Sequence, residues 1–241
     1  MALWLGRGPT VKIQSREWKL TALEQLVAIP QIKYILLPVD IIPMCDVYTH
    51  DSKIEQATRL LLESLGIDLS DENFKETPGR MARAYADLCK YVKPSNNVRV
   101  ELENCLSKMF PTKYKGMIIQ EPIRAYSLCS HHLLPVTYDV LFGYIPRKLS
   151  LGFSKSVKAI NLLAARPISQ EDLTHEIIET FEKLMRPKGV MIVVRGLHTC
   201  MQIRSVRTEA VNITSALRGD FKDSESSRNE FLALAKFKGC L

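Results

Sequence analysis

Two short segments, Cys129-Ser130-His131-His132 and His198-Thr199-Cys200, hold two cysteines and three of the five histidines of the chain. Thiolates and imidazoles are the ligands that borderline-soft divalent metals take. Cys129 and His132 are three residues apart, so a tight turn presents both on one side and displaces His131 by about a hundred degrees. His198 and Cys200 are two apart, so an extended segment points both the same way. A site of Cys129, His132 and Cys200 suits Zn²⁺, and three protein ligands leave one tetrahedral position for water. An ion so placed lowers the pKa of water to about 7, with His131 and His198 placed for proton transfer. The chemistry is hydrolysis. A structural zinc is the competing expectation, and it needs a fourth ligand from Cys89, Cys105 or His175.

Phosphate has no backbone cradle here, because neither Gly-x-x-x-x-Gly-Lys nor Gly-x-Gly-x-x-Gly occurs. Any phosphate must be held by side chains. Ser154, Lys155 and Lys158 fall at the start of an expected helix and offer a hydroxyl, two ammonium groups and the positive end of the helix dipole. They also read as a plain exposed basic helix start. Gln170 and Glu171 open the next expected helix, where a carboxylate favours the dipole. A paired amide and carboxylate can equally read a guanine edge, with the carboxylate accepting from N1–H and the 2-amino group.

The elements that must position these residues fall in two textures. A capping box at Ser52 and Glu55 starts a helix whose apolar stripe is Ile54, Ala57, Leu61 and Leu65. Thr77-Pro78 starts a second, with Met81, Ala84, Tyr85, Leu88 and Cys89 as its buried stripe and Arg80 and Arg83 sharing an exposed face. Beyond residue 116 strands take over, at 117–120 and at 135–145, where Val136, Tyr138, Val140, Phe142 and Tyr144 alternate with other residues. Helices are expected over 154–165 and 170–185, strands over 189–195, 200–206 and 211–217, and a closing helix over 223–236. This divides the chain into an N-terminal extension (1–50), a helical region (51–115) and a catalytic domain (116–241).

Composition narrows the partners. The net charge of +7 permits a polyanionic ligand, and residues 140–170 contain no acid while carrying Arg147, Lys148, Lys155, Lys158 and Arg166. No aromatic-basic interleaving or recognised motif points to nucleic acid. The six cysteines lack a disulfide-framework spacing, which fits thiols in the reducing cytoplasm. The apolar stretch near residues 26–43 is broken by Pro30, Lys33 and Pro38, so no membrane span is expected.

Taken with Glu76-Thr77-Pro78-Gly79-Arg80, Gly152-Phe153-Ser154-Lys155, Gln170-Glu171-Asp172-Leu173-Thr174 and Thr214-Ser215-Ala216-Leu217-Arg218-Gly219, the two metal segments resemble type I GTP cyclohydrolases. The resemblance runs from Ile54 onward. It implies an α+β tunnelling fold, an antiparallel sheet backed by two helices, assembled as a homo-oligomer, a decamer of two stacked pentamers with sites between subunits. It implies zinc on Cys129, His132 and Cys200, with His131 and His198 as acid–base residues. It implies that Gln170 and Glu171 anchor the guanine of GTP, Ser154 meets the ribose, and Lys155, Lys158 and Arg204 hold the triphosphate, with Arg83 reaching a neighbouring subunit's site. The family reaction is attack of metal-activated water at C8, release of formate and closure to 7,8-dihydroneopterin triphosphate.

Several positions depart from the family pattern. Ser130 stands where the family usually has Glu, Val136 and Tyr138 replace Phe and Gly, Asp172 replaces Arg, and Lys158 often is Arg, which loses a bidentate fork for phosphate. Two alternatives follow: a divergent enzyme that stops at the formamide or takes another purine nucleotide, and a non-catalytic ring with structural zinc.

Overall fold

The computed structural model describes residues 52–93, 96–204 and 206–235, and the expected extension over 1–50 lies outside them. Helices α1 (Ser52–Ser64) and α2 (Thr77–Leu88) pack on each other. Pro78 sits in the first turn of α2, where no N–H is needed. The period of α1 is helical as expected, but its phase differs. Thr58 and Leu62 are buried, whereas Leu60, Leu61 and Leu65 keep 66%, 50% and 68% of their surface. Periodicity fixes the helix, and only the neighbouring helix decides which of two apolar stripes turns inward.

Helix α3 (Val98–Leu106) has no counterpart in the sequence reading. Its start is capped by Asn97, whose side chain accepts from the N–H groups of Arg99 and Val100. Leu102, Cys105 and Leu106 face inward. Strand β1 (Met109–Pro111) then pairs antiparallel with β4 (Leu149–Leu151) as a separate ribbon.

The main sheet contains β2 (Ile118–Cys129), β3 (Pro135–Ile145), β5 (Pro167–Ile168), β6 (Gly189–His198) and β7 (Asn212–Gly219), in the order β5-β2-β3-β6-β7. All pairings are antiparallel except the two-residue β5, which runs parallel to β2. Helices α4 (Phe153–Ala164) and α5 (Gln170–Met185) back one face. There Val136, Tyr138, Val140, Phe142 and Tyr144 of β3 share a core with Ile160 of α4 and Leu173, Ile177 and Phe181 of α5. The rings of Phe142 and Phe181 lie 4.3 Å apart, a pairing that adds about 1 kcal/mol to simple burial. On the opposite face Leu141, Ile145, Met191 and Val193 meet Phe221 of α7 (Asp220–Asp223) and Phe231 of α8 (Glu225–Ala235). Two-sided burial is why the alternation of β3 fades into a continuous apolar run after Val140.

One expected strand is a helix. The segment after His198, expected to be extended over 200–206, turns at once into α6 (Thr199–Gln202). Thr199 pins this turn by donating from Oγ1 to the Pro135 carbonyl at 2.6 Å. Cys200 is therefore delivered by a helical turn, and the shared strand face expected for His198 and Cys200 does not form.

Candidate metal centre and substrate site

Adjacent strand ends build the site. Leu128 of β2 pairs with Pro135 of β3, and Val136 pairs with His198 of β6, so Cys129 and the His198–Cys200 segment emerge at the same end of the sheet. The loop between β2 and β3 closes tightly: Cys129 N–H donates to Leu134 O at 2.8 Å, and Leu133 N–H donates to Cys129 O at 2.8 Å. Leu133 takes a φ of 53° to make the bend, a conformation that costs a non-glycine residue about 1 kcal/mol. The turn brings His132 Nδ1 to 3.6 Å and His131 Nδ1 to 3.9 Å from Cys129 Sγ. Cys200 Sγ stands 3.8 Å from Cys129 Sγ.

These distances suit a metal. Bonds of about 2.3 Å to sulfur and about 2.0–2.1 Å to nitrogen at tetrahedral angles separate two sulfurs by about 3.8 Å and a sulfur from a nitrogen by about 3.5 Å. Both the cysteine pair and the Cys129–His132 pair match. The charge balance agrees, because burial first and then the adjoining Cys129 push the Cys200 thiol above its ordinary range, with Arg204 opposing. Two buried sulfurs in contact need a cation before both ionise. Burial, Arg204 and His131 all hold His132 below the usual histidine range, which keeps it in the neutral form that ligates.

Among the described residues, Cys129, His198 and Cys200 bring their donor atoms within 4.8 Å of one another. His132 reaches Cys129, while its Nε2 rests against the Arg204 guanidinium instead of closing on Cys200. Two of the residues expected to complete a structural zinc are engaged elsewhere: Cys105 Sγ donates to the Lys155 carbonyl at 3.4 Å and His175 pairs with Glu179 at 3.2 Å. His198 beside both sulfurs and His132 beside Cys129 leave two imidazoles within reach of one ion.

His198 Nε2 lies 3.0 Å from Gln170 Oε1. Gln170 Nε2 donates to Val194 O at 3.1 Å, Asn212 O at 3.1 Å and Thr214 Oγ1 at 3.2 Å. The residue is only 3% exposed, so its side chain spends its polar atoms inside the chain. Glu171, one position on, is exposed. Ser169 caps this helix by accepting from Asp172 N–H and donates to the Asp172 carboxylate at 2.8 Å, so Asp172 serves the helix start. Burial holds His198 below the usual histidine range, with Glu171 opposing.

Sequence reading takes Tyr138 as a strand residue and as a departure from the family pattern, and the structure puts it in the site. It pairs with Ala125 on one side and Gly196 on the other, a large residue flanked by two that leave room for it. Its ring meets that of His198 edge-on at 6.0 Å and 81°. The hydroxyl is buried without a hydrogen-bond partner among the described residues. Burial, and then the charges of Cys129, Glu171 and Cys200, push the phenol above its ordinary range.

The basic residues form a second cluster. Ser154 and Lys158 are exposed and Lys155 half-buried at the start of α4. Lys155 and Lys158 line a recess of about 170 Å³ with Glu101, Asn104, Cys105 and Lys108. Lys108 lies outside the acid-free stretch 140–170, and only the fold of α3 onto α4 brings it in. The recess shares no lining residue with the thiol group. Arg83 and Arg204 are exposed, on α2 and just beyond α6.

The GTP cyclohydrolase I family model matches residues 54–236. The GTP cyclohydrolase 1 of Sulfurihydrogenibium sp. (strain YO3AOP1) is 39% identical over 184 residues, covering 76% of this chain and 94% of its own length. That of Aquifex aeolicus (strain VF5) is 41% identical over 187 residues, covering 76% and 96%. Among solved structures, an archaeosine synthase QueF-Like chain in the apo form shows a slight likeness, with 18% identity, 43% of this chain and 96% of that one covered, and a TM-score of 0.34.

Proposed function

The chain belongs to the GTP cyclohydrolase I family, and from that premise we propose that it hydrolyses the imidazole ring of GTP at a Zn²⁺ site, releasing formate and 7,8-dihydroneopterin triphosphate. The observation that carries this reading is the Cys129–Cys200 sulfur pair at 3.8 Å with imidazoles beside it. Bound Zn²⁺ supplies a Lewis acid and acidifies water. Cys129, His132 and Cys200 hold the ion, and His131 and His198 move protons for the two C–N cleavages. The exposed carboxylate of Glu171 accepts from the guanine N1–H and 2-amino group, with Gln170 packed behind it. Ser154 meets the ribose, and Lys155, Lys158 and Arg204 hold the triphosphate.

The thiol group and the lysine recess are separate in one chain, which supports a site completed between subunits of a ring, a decamer of two pentamers, with Arg83 reaching a neighbour. Leu61 and Leu65 on α1 offer apolar surface for such packing. The proposed organisation places catalysis in 116–241, behind a helical region and an extension of unassigned role. Among the described residues no helix is long and apolar enough to cross a membrane, and the free thiols suit a cytoplasmic setting.

Zinc-loaded protein incubated with GTP should yield formate and, after oxidation, a fluorescent pterin; absence of turnover would defeat the proposal. A second reading, arrest at the formamide, is favoured by the exposed Ser130, which supplies no carboxylate beside the metal ligands. Mass spectrometry of the product separates the two, since arrest retains the formyl carbon.

A further inference from the structure

The hydrogen-bond network around Gln170 has only one consistent orientation. Val194 O and Asn212 O are backbone carbonyls that only accept, and both lie 3.1 Å from the same side-chain atom of Gln170, which must be its nitrogen. The threonines agree with this. Thr174 Oγ1 donates to Gln170 O at 2.7 Å, so Thr214 Oγ1 donates to Thr174 at 2.6 Å and is left to accept from Gln170. The oxygen Oε1 is therefore the atom 3.0 Å from His198 Nε2, and because that oxygen only accepts, Nε2 carries the hydrogen. In a neutral imidazole the acceptor nitrogen is then Nδ1.

The strand makes room for this contact. A Cβ at Gly196 would fall 2.1 Å from Gln170 Oε1 and 3.0 Å from His198 Nε2, so a side chain at position 196 displaces the amide from the imidazole. Tyr138, paired with Gly196, meets the imidazole edge-on.

We propose that Gln170 is a positioning residue that fixes His198 as its Nε2–H tautomer, leaving Nδ1 as the nitrogen that takes and returns protons, with Gly196 as the required gap. This deepens the assignment of His198 as an acid–base residue and rests on it. It also moves Gln170 from reading guanine to orienting a catalytic side chain, leaving the base to Glu171.

The direct test is ¹⁵N NMR of the zinc-loaded full chain labelled at histidine, with His198 assigned by difference from His198→Asn. A protonated Nε2 with an unprotonated Nδ1 is expected at neutral pH. A protonated Nδ1, or a metal-shifted signal from either His198 nitrogen, overturns the inference. This readout does not depend on turnover, so a protein inactive on GTP would sink the functional reading while the tautomer result stands or falls separately. Kinetics supply the second arm: Gln170→Met should lower kcat about 10- to 100-fold with little change in KM for GTP, and Gly196→Ala should do the same. A raised KM with kcat intact would assign Gln170 to the substrate instead. If neither variant folds, the spectrum of the unaltered protein decides.

Discussion

Cys129 and Cys200 are 71 positions apart in the chain and 3.8 Å apart at sulfur, held there by the adjoining ends of three strands and one helical turn. On the proposed ligand set of both sulfurs and His132, Cys129→Ser and Cys200→Ser should each abolish stoichiometric zinc and cut formate release by more than about a hundredfold. Metal analysis of the purified variants, read beside the assay, checks this.

The same pair makes the metal-free protein sensitive to alkali. The folded Cys200 thiol is held above its ordinary range by burial and Cys129. Its stabilising contribution is thus complete below the range of an unfolded thiol and is lost as pH rises through the raised value. Thermal melting in chelator should show a falling Tm through that alkaline window. Added zinc should remove the fall, since the ligand thiols then deprotonate onto the ion.

Tyr138 separates packing from hydrogen bonding. Its hydroxyl has no partner among the described residues, so Tyr138→Phe should leave stability unchanged or raise it by about 1 kcal/mol. Tyr138→Ala empties a fully buried site between Ala125 and Gly196 and should cost about 3–5 kcal/mol. Denaturant unfolding of both variants measures the contrast.

Glu171 is expected to carry base recognition. Removing a charge-assisted acceptor forfeits about 1.5–3 kcal/mol, so Glu171→Ala should raise KM for GTP about 10- to 100-fold. ITP, which lacks the 2-amino group, should lose less. Steady-state comparison of the two nucleotides tests the assignment, and equal losses would count against it.

Lys108 is expected to act with Lys155 and Lys158 on the triphosphate, because the three line one recess. Lys108→Ala should raise KM for GTP several-fold at low salt, with the difference narrowing as ionic strength rises. Inorganic triphosphate should inhibit the unaltered enzyme more strongly than the variant.

Much of this architecture was legible in the sequence because burial imposed a period on it. The stripe Leu173, Ile177, Ile178 and Phe181 marks α5 and reappears as its buried face, and the bounds expected for β3 and α5 match those observed. The stretch after His198 misled, since its branched and apolar residues suggest a strand while the Thr199 contact to Pro135 turns the chain into α6. The phase of α1 was hidden because Leu60 and Leu61 offer an apolar face as good as that of Leu62. Tyr138 and Lys108 escaped for a common reason: each acquires its role from a neighbour distant in sequence, Gly196 in one case and α4 in the other.

The opening of α5 sets an inward amide and an outward carboxylate on consecutive residues. The Gln170 side chain is tied to β6 and β7, so exchanging it disturbs two strands at once. Glu171 faces solvent and can be exchanged without repacking the interior. Natural variants of this chain should therefore drift in nucleobase preference through one codon, while the codon just before it stays under purifying pressure whatever the base being read.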